Sequence, residues 1–294
     1  MAAFIPGTGL RPARARKVER QPDRCAGRAA RPGVSRDTAG RADLHAEPLS
    51  ERIASDQIEL HVRLIEEIDS ADALEALLSC DEKQRAGRFA FERHRQQYIA
   101  AHGLLRLALS NVAPEVAPAE WSFVIGRYGR PLVAAPATST ALHFSLSHAD
   151  GCVACVVSGH EAVGVDVERV SPRNALMETA QNVFSPDELQ ALRGLSTGDF
   201  INRFFDYWTL KEAYLKATGF GLHRPLDRFS MRICPGSIGI RFEPDIADDP
   251  RQWRFTLSSP SPAHRLAIAD GSGVAGGLPI VRHRLRHRWL AASS

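Results

Sequence analysis

Three short apolar runs, at residues 142–146, 152–157 and 162–167, follow one another with only a few residues between them. Each has the length and the Val, Leu and Phe content of a β-strand. Long helical patterns lie on either side of this cluster instead of alternating with it. Tyr98, Leu104, Leu105, Leu107 and Leu109 fit one helix that ends near Pro114, and residues 200–218 read as one amphipathic helix closed by Gly219 as its C′ residue. Helices segregated from close-spaced strands make an α+β fold.

The remaining elements divide into two halves of comparable make-up. In the first, Ile58, Leu60, Val62 and Leu64 alternate with polar residues as in a half-buried strand, and residues 72–78 have helical spacing. Ser79-Cys80-Asp81-Glu82 has the capping-box pattern of a helix start, residues 121–125 form a short strand, and residues 126–131 form a turn. In the second, residues 174–184 look helical and Ser185-Pro186-Asp187-Glu188 sets out an N-cap, a first-turn proline and an N3 glutamate. Strands follow at 229–233, 238–242, 253–257 and 266–268. The expected organisation is a basic extension over residues 1–50, an N-terminal half over 56–160, a C-terminal half over 161–275 and a basic tail over 276–294.

Composition narrows the classes of function. At 44% hydrophobic and 24% charged, the 294-residue chain has enough apolar material for a sizeable core. It has no run of eighteen apolar residues, as a transmembrane helix requires, and its five cysteines are odd in number and scattered. With no signal-peptide pattern, these read as reduced thiols of a cytoplasmic protein. The net charge of +3 is uneven: residues 1–47 carry ten basic and five acidic side chains, a surplus of five, so the rest of the chain sums to −2. The N-terminal stretch has few large apolar residues and no periodicity, as a disordered extension would. A second basic patch runs from Arg282 to Arg288. Neither patch interleaves aromatics for base stacking, and a net-negative body resists a polyanion, so no nucleic-acid partner and no membrane partner are expected.

The chemistry gathers in two segments. In Gly164-Val165-Asp166-Val167-Glu168, strand alternation puts Asp166 and Glu168 on one face. Alone this reads as a solvated strand face, but two adjacent carboxylates also suit Mg²⁺, which takes one or two carboxylates together with phosphate oxygens. In Trp208-Thr209-Leu210-Lys211-Glu212-Ala213-Tyr214-Leu215-Lys216, Glu212 and Lys216 share one helical face, and alone they read as an exposed ion pair. Together the segments offer three carboxylates and a lysine, which is what metal-bound phosphate chemistry needs.

G-V-D-V-E followed about forty residues later by W-x-x-K-E-A-x-x-K resembles the signature of the 4′-phosphopantetheinyl transferases, in particular their Sfp-type branch. Tyr128-Gly129-Arg130-Pro131 is similar to the family's G-K/R-P turn, and Phe144-Ser145-Leu146-Ser147-His148-Ala149-Asp150-Gly151 to its F-x-x-S-H-x-x-G segment. The resemblance covers roughly residues 56–270. It implies two similar α/β halves arranged as a pseudo-dimer, with the active site between them. It implies Mg²⁺-dependent transfer of the phosphopantetheine arm from coenzyme A to a serine of an apo acyl or peptidyl carrier protein, releasing 3′,5′-ADP. In that picture Asp166, Glu168 and Glu212 approach the metal, Lys216 binds the pyrophosphate, and Glu212 is the candidate base, directly or through a metal-bound water. Asp166, Glu212 and Lys216 are thus the catalytic candidates. Ser147 and His148 meet coenzyme A phosphate or ribose, Arg130 its adenine–phosphate side, and Lys83, Arg85 and Arg88 its 3′-phosphate. Relatives often carry a basic residue between the glycines that follow the lysine motif, where this chain has Phe220.

Other signals are weaker. Cys152-Val153-Ala154-Cys155 is a lone C-x-x-C inside an apolar strand, which reads as packing. No G-x-S-x-G elbow, P-loop or dinucleotide fingerprint is present. The alternatives to a monomeric transferase are a non-catalytic coenzyme A or carrier-binding protein and another Mg²⁺-dependent nucleotide phosphohydrolase.

Overall fold

Strand β1 (Ile58–Leu64) leads into three helices, α1 (Ala71–Ala76), α2 (Cys80–Ala86) and α3 (Glu92–Val112), then the hairpin β2 (Ser122–Ile125) and β3 (Pro131–Ala135). Three strands follow in quick succession: β4 (His143–Ala149), β5 (Cys152–Ser158) and β6 (Val163–Arg169). Helices α4 (Met177–Val183), α5 (Pro186–Leu192) and α6 (Thr197–Thr218) come next, then β7 (Phe229–Cys234), β8 (Ser237–Phe242), β9 (Arg254–Ser258), β10 (His264–Asp270) and β11 (Ile280–His283). This computed structural model describes residues 56–68 and 71–283. The N-terminal extension, Cys25 and the basic run beyond His283 lie outside the described residues. Within them, no helix is long and apolar enough to cross a membrane.

The strands form two main sheets and two hairpins. One sheet has the order β11-β1-β5-β4, with β11 parallel to β1 and the other pairs antiparallel. The other has the order β6-β10-β9, all antiparallel, while β2–β3 and β7–β8 pair only with each other. Each half places its long helix on its own sheet, α3 on β5 and α6 on β6 and β10. The fold is α+β, and the two similar α/β halves make a pseudo-dimer.

Strand β5 is buried from end to end because both its faces are covered. Val153, Cys155 and Val157 meet Leu104, Leu105, Ala108 and Leu109 of α3. Cys152, Ala154 and Val156 belong instead to a core with Ile58, Leu60 and Val62 of β1 and Val163, Val165 and Val167 of β6. Each of these valine, leucine and isoleucine side chains contributes about 1.5–3 kcal/mol through burial. The C-x-x-C thiols therefore sit in two different cores, as packing residues, and burial pushes the Cys152 thiol up to about 12.

Three features depart from the sequence reading. Strand β1 is buried on both faces, not half-buried: Glu59 and His61 are covered as fully as their apolar neighbours. The reason is β11, which arises within the segment read as a basic tail and pairs with β1. His283 stacks on His61 with ring centroids 4.8 Å apart and bonds the Glu59 carboxylate. Strand β3 begins at Pro131 and is rich in alanine, so it lacks the β-branched signature and reads as the end of a turn. Helix α4 begins at Met177, three residues beyond the expected start.

Candidate active site

The site is built on β6. Because Val163, Val165 and Val167 fill the core, Gly164, Asp166 and Glu168 face the other way, toward α6. At Gly164 the helix touches the strand backbone. A Cβ there would overlap the Ala213 carbonyl oxygen and stand 2.6 Å from the Ala217 nitrogen, so only glycine admits so close an approach. This contact lays the end of α6 over the two carboxylates. Trp208 Nε1 donates to Glu168 Oε1 at 3.1 Å, and Lys216 Nζ donates to Asp166 Oδ1 at 2.7 Å. The carboxylate face, which alone reads as a solvated strand face, is covered by a helix.

Strand β4 closes the site from the opposite side. It is the edge of its own sheet, and it meets β6 through serine side chains: Val165 N donates to Ser145 Oγ at 3.1 Å and Val167 N to Ser147 Oγ at 3.2 Å. Ser147 Oγ also accepts from Lys216 Nζ at 2.8 Å and donates its proton to Asp166 Oδ1 at 2.9 Å. One hydroxyl thus ties together β4, β6 and α6.

Positive charge falls short of negative charge here. Asp166 is 3% exposed, and its Oδ2 and the Glu212 Oε1 are buried without a hydrogen-bond partner. Burial, and then the Asp166 charge, push the Glu168 carboxyl up to about 9 and the Glu212 carboxyl up to about 7. Burial pushes Asp166 up as well, against the pull of Lys216 and the Ser147 hydroxyl. Among the described residues no three His, Cys, Asp or Glu side chains already form a metal cage. The donor set nevertheless fits a hard divalent cation that leaves places for phosphate oxygens: two buried carboxylate oxygens lack partners, and Glu168 stands beside them.

Other expected site residues fall around this centre. Arg130 lines an open cavity of about 230 Å³ with Tyr128, Pro131, Ser145 and Lys216. It donates to the carbonyls of Ala217 at 3.1 Å and Glu161 at 2.8 Å, so its guanidinium braces the end of α6. Arg130, Pro131 and Phe144 also border a larger cleft of about 400 Å³ beside β3. The His148 side chain is exposed next to Ser147, with Nδ1 bonded to Gln97 at 3.0 Å. Lys83 and Arg85 are exposed on α2 and Arg88 just beyond its end; Lys83 Nζ donates to the Ala76 carbonyl and Arg88 to Gln84, and among the described residues no hydrogen bond or ion pair joins them to the three carboxylates.

Lys216 pairs with Asp166 and not with Glu212 one turn before it, the pair its own segment alone would suggest, because the strand carboxylate lies directly beneath the helix end. Sequence reasoning gave no role to Trp208, Ser145 or Gln97. The first two left a signal: a buried indole N–H needs an acceptor, and Ser145 and Ser147 share one strand face. Gln97, in the middle of a helix, left none. At Phe220, the position where relatives carry a cation, the ring stacks under Arg224 at 4.4 Å.

The site has recognisable relatives. The 4′-phosphopantetheinyl transferase superfamily matches over residues 162–269, the stretch from β6 to β10. The chain is 34% identical over 184 residues to the 4′-phosphopantetheinyl transferase HetI of Nostoc sp., covering 62% of this chain and 77% of HetI. It is 36% identical over 217 residues to a phosphopantetheinyl transferase of Thraustochytrium sp., covering 69% of this chain and 74% of that one. Against the 4′-phosphopantetheinyl transferase Sfp of Bacillus subtilis, identity is 27% over 194 residues, covering 66% and 82%. The chain therefore belongs to the 4′-phosphopantetheinyl transferase superfamily, as a transferase of its Sfp-type branch.

Proposed function

We propose that this protein transfers the 4′-phosphopantetheine arm of coenzyme A to a serine of an apo acyl or peptidyl carrier protein, releasing 3′,5′-ADP, as a cytoplasmic monomer. The observation that carries the reading is the group of buried Asp166 and half-buried Glu168 and Glu212 beside Lys216, with two buried carboxylate oxygens left without partners. A protein that only held coenzyme A would have no use for three carboxylates beside a polyanion.

Asp166, Glu168 and Glu212 would hold Mg²⁺, which supplies the positive charge that lets an oxygen nucleophile approach the pyrophosphate. Glu212 takes the proton of the carrier serine hydroxyl as the serine Oγ–P bond forms and the P–O bond to 3′,5′-ADP breaks. Lys216, already held between Asp166 and Ser147, stabilises the charge that collects on the leaving group. Ser147 and His148 meet coenzyme A phosphate or ribose, Arg130 braces the adenine–phosphate side, and Lys83, Arg85 and Arg88 take the 3′-phosphate.

The test is incubation with coenzyme A, Mg²⁺ and a panel of apo carriers, read by mass spectrometry. The expected outcome is the mass of the arm on the carrier serine, 3′,5′-ADP released only when carrier is present, and no reaction after chelation. No mass gain across acyl and peptidyl carriers would sink the reading. Release of 3′,5′-ADP without carrier would turn it into a hydrolase.

A further inference from the structure

We infer that Gln97 is a positioning residue that fixes the imidazole tautomer of His148, so that the ring presents an N–H to bound phosphate. The inference rests on the reading above in which His148 meets a coenzyme A phosphate. Gln97 lies half-buried on α3, one turn after His94, and its Nε2 stands 3.0 Å from His148 Nδ1. An amide NH₂ can only donate, so Nδ1 must accept and the single proton of a neutral imidazole sits on Nε2.

The ring is kept neutral first by the protein packed around it, which pushes the imidazole down to about 4, and then by its charged neighbours. The titratable groups that face it are Lys216 from α6 and His102 and His94 from α3, and an imidazolium would add to that positive field. The ring therefore carries one proton, and Gln97 decides which nitrogen holds it. With the opposite tautomer the Nε2 lone pair would face the phosphate oxygens and repel them. His148 follows Ser147, whose hydroxyl is committed to Lys216, Asp166 and Val167 N. Ser147 thus has no proton to give an incoming phosphate, which leaves His148 as the neutral donor at this end of β4.

The experiment reads the tautomer directly. Histidine-labelled full-length protein is examined by ¹⁵N–¹H NMR, with His148→Gln used to identify the resonance, and coenzyme A affinity is measured by calorimetry on the same samples. The wild type is expected to show His148 protonated at Nε2. Gln97→Glu, which can only accept, should move the proton to Nδ1 and weaken coenzyme A binding about tenfold. Gln97→Leu removes the donor without adding charge and should give a mixed tautomer with affinity about threefold weaker. The transfer rate at saturating coenzyme A should stay within twofold in both. A proton on Nδ1 in the wild type overturns the inference, as does a Gln97→Glu affinity within twofold of wild type. A wild type that binds coenzyme A but modifies no carrier sinks the transferase reading alone. One that does not bind coenzyme A sinks both.

Discussion

The two halves of the molecule share one structural device and differ in what was added to it. In each, a capping-box glutamate reaches beyond its own serine to a buried cation on the long helix that follows. Glu82 accepts from Ser79 N at 2.8 Å and pairs with Arg106 at 2.7 Å; Glu188 accepts from Ser185 N at 2.9 Å and pairs with Lys211 at 2.8 Å. Arg106 and Lys211 are each 1% exposed. Each also donates to two backbone carbonyls, those of Pro118 and Trp121 in one half and Leu226 and Phe229 in the other. Each lies over a phenylalanine ring, Phe123 or Phe229. The residue after the cation is Leu107 of the core in α3 and Glu212 in α6; five residues after it stand Asn111 and Lys216. The shared device holds a helix end in place, and the chemistry was added to one half through a few side chains on that frame.

If frame and chemistry are separable, the sharpest break is Lys211→Ala. It strands a carboxylate with no exposed surface and should cost about 3–5 kcal/mol in denaturant unfolding. Arg106→Ala should cost less, because Glu82 is partly exposed and keeps His102 at 2.9 Å. Next in size, Glu212→Gln or Asp166→Ala should lower carrier modification by about 10²–10³-fold. Circular dichroism and melting of either variant should stay close to wild type. A wild-type turnover in either would show that the carboxylates are not the reaction centre.

The halves should also part company with pH. Burial works to raise Glu82, but the bond to His102, the Ser79 N–H and Arg106 outweigh it and hold the carboxyl at about 2, below its free value of 4.5. Its contribution is therefore present above about 4.5 and is lost as pH falls toward 2. Glu168 and Glu212 lie the other way, at about 9 and about 7, so the folded state keeps their protons longer than the unfolded chain. Their contribution is full below 4.5 and is lost as pH rises through 7 and 9. Melting of metal-free protein from pH 3 to 9 should show both flanks, with Mg²⁺ restoring stability on the alkaline side only. Smallest of all, Phe220→Ala should lose the Arg224 stack and the ring contact with Tyr128, about 0.5–1 kcal/mol.

Most of this frame was legible in the sequence because it follows local rules. Ser79, Ser185 and Gly219 mark helix ends by their own backbone chemistry, and the valines of β6 sort its faces by alternation. Asp166, Glu168, Glu212 and Lys216 were legible as a group but not as a geometry. The partner of Lys216 lies 50 residues back along the chain and is decided by the glycine contact at Gly164. What escaped entirely depends on elements distant in sequence: β11 covering Glu59 and His61, and Gln97 meeting a histidine 51 residues away. Periodicity carries no record of which strand will arrive to cover a face.

The two serines at the join between the sheets have one further consequence. Elsewhere strands are held by a repeating ladder that would tolerate a shift by rebuilding itself in the new alignment. Between β4 and β6 the bonds come from Ser145 and Ser147 alone, spaced two apart to match Val165 and Val167. A slip of one residue would set Phe144 and Leu146 against those amides and leave two buried N–H groups unanswered, at about 1–3 kcal/mol each. The join thereby works as a keyed lock, which admits one alignment of the halves and delivers Asp166 to Ser147 each time the chain folds.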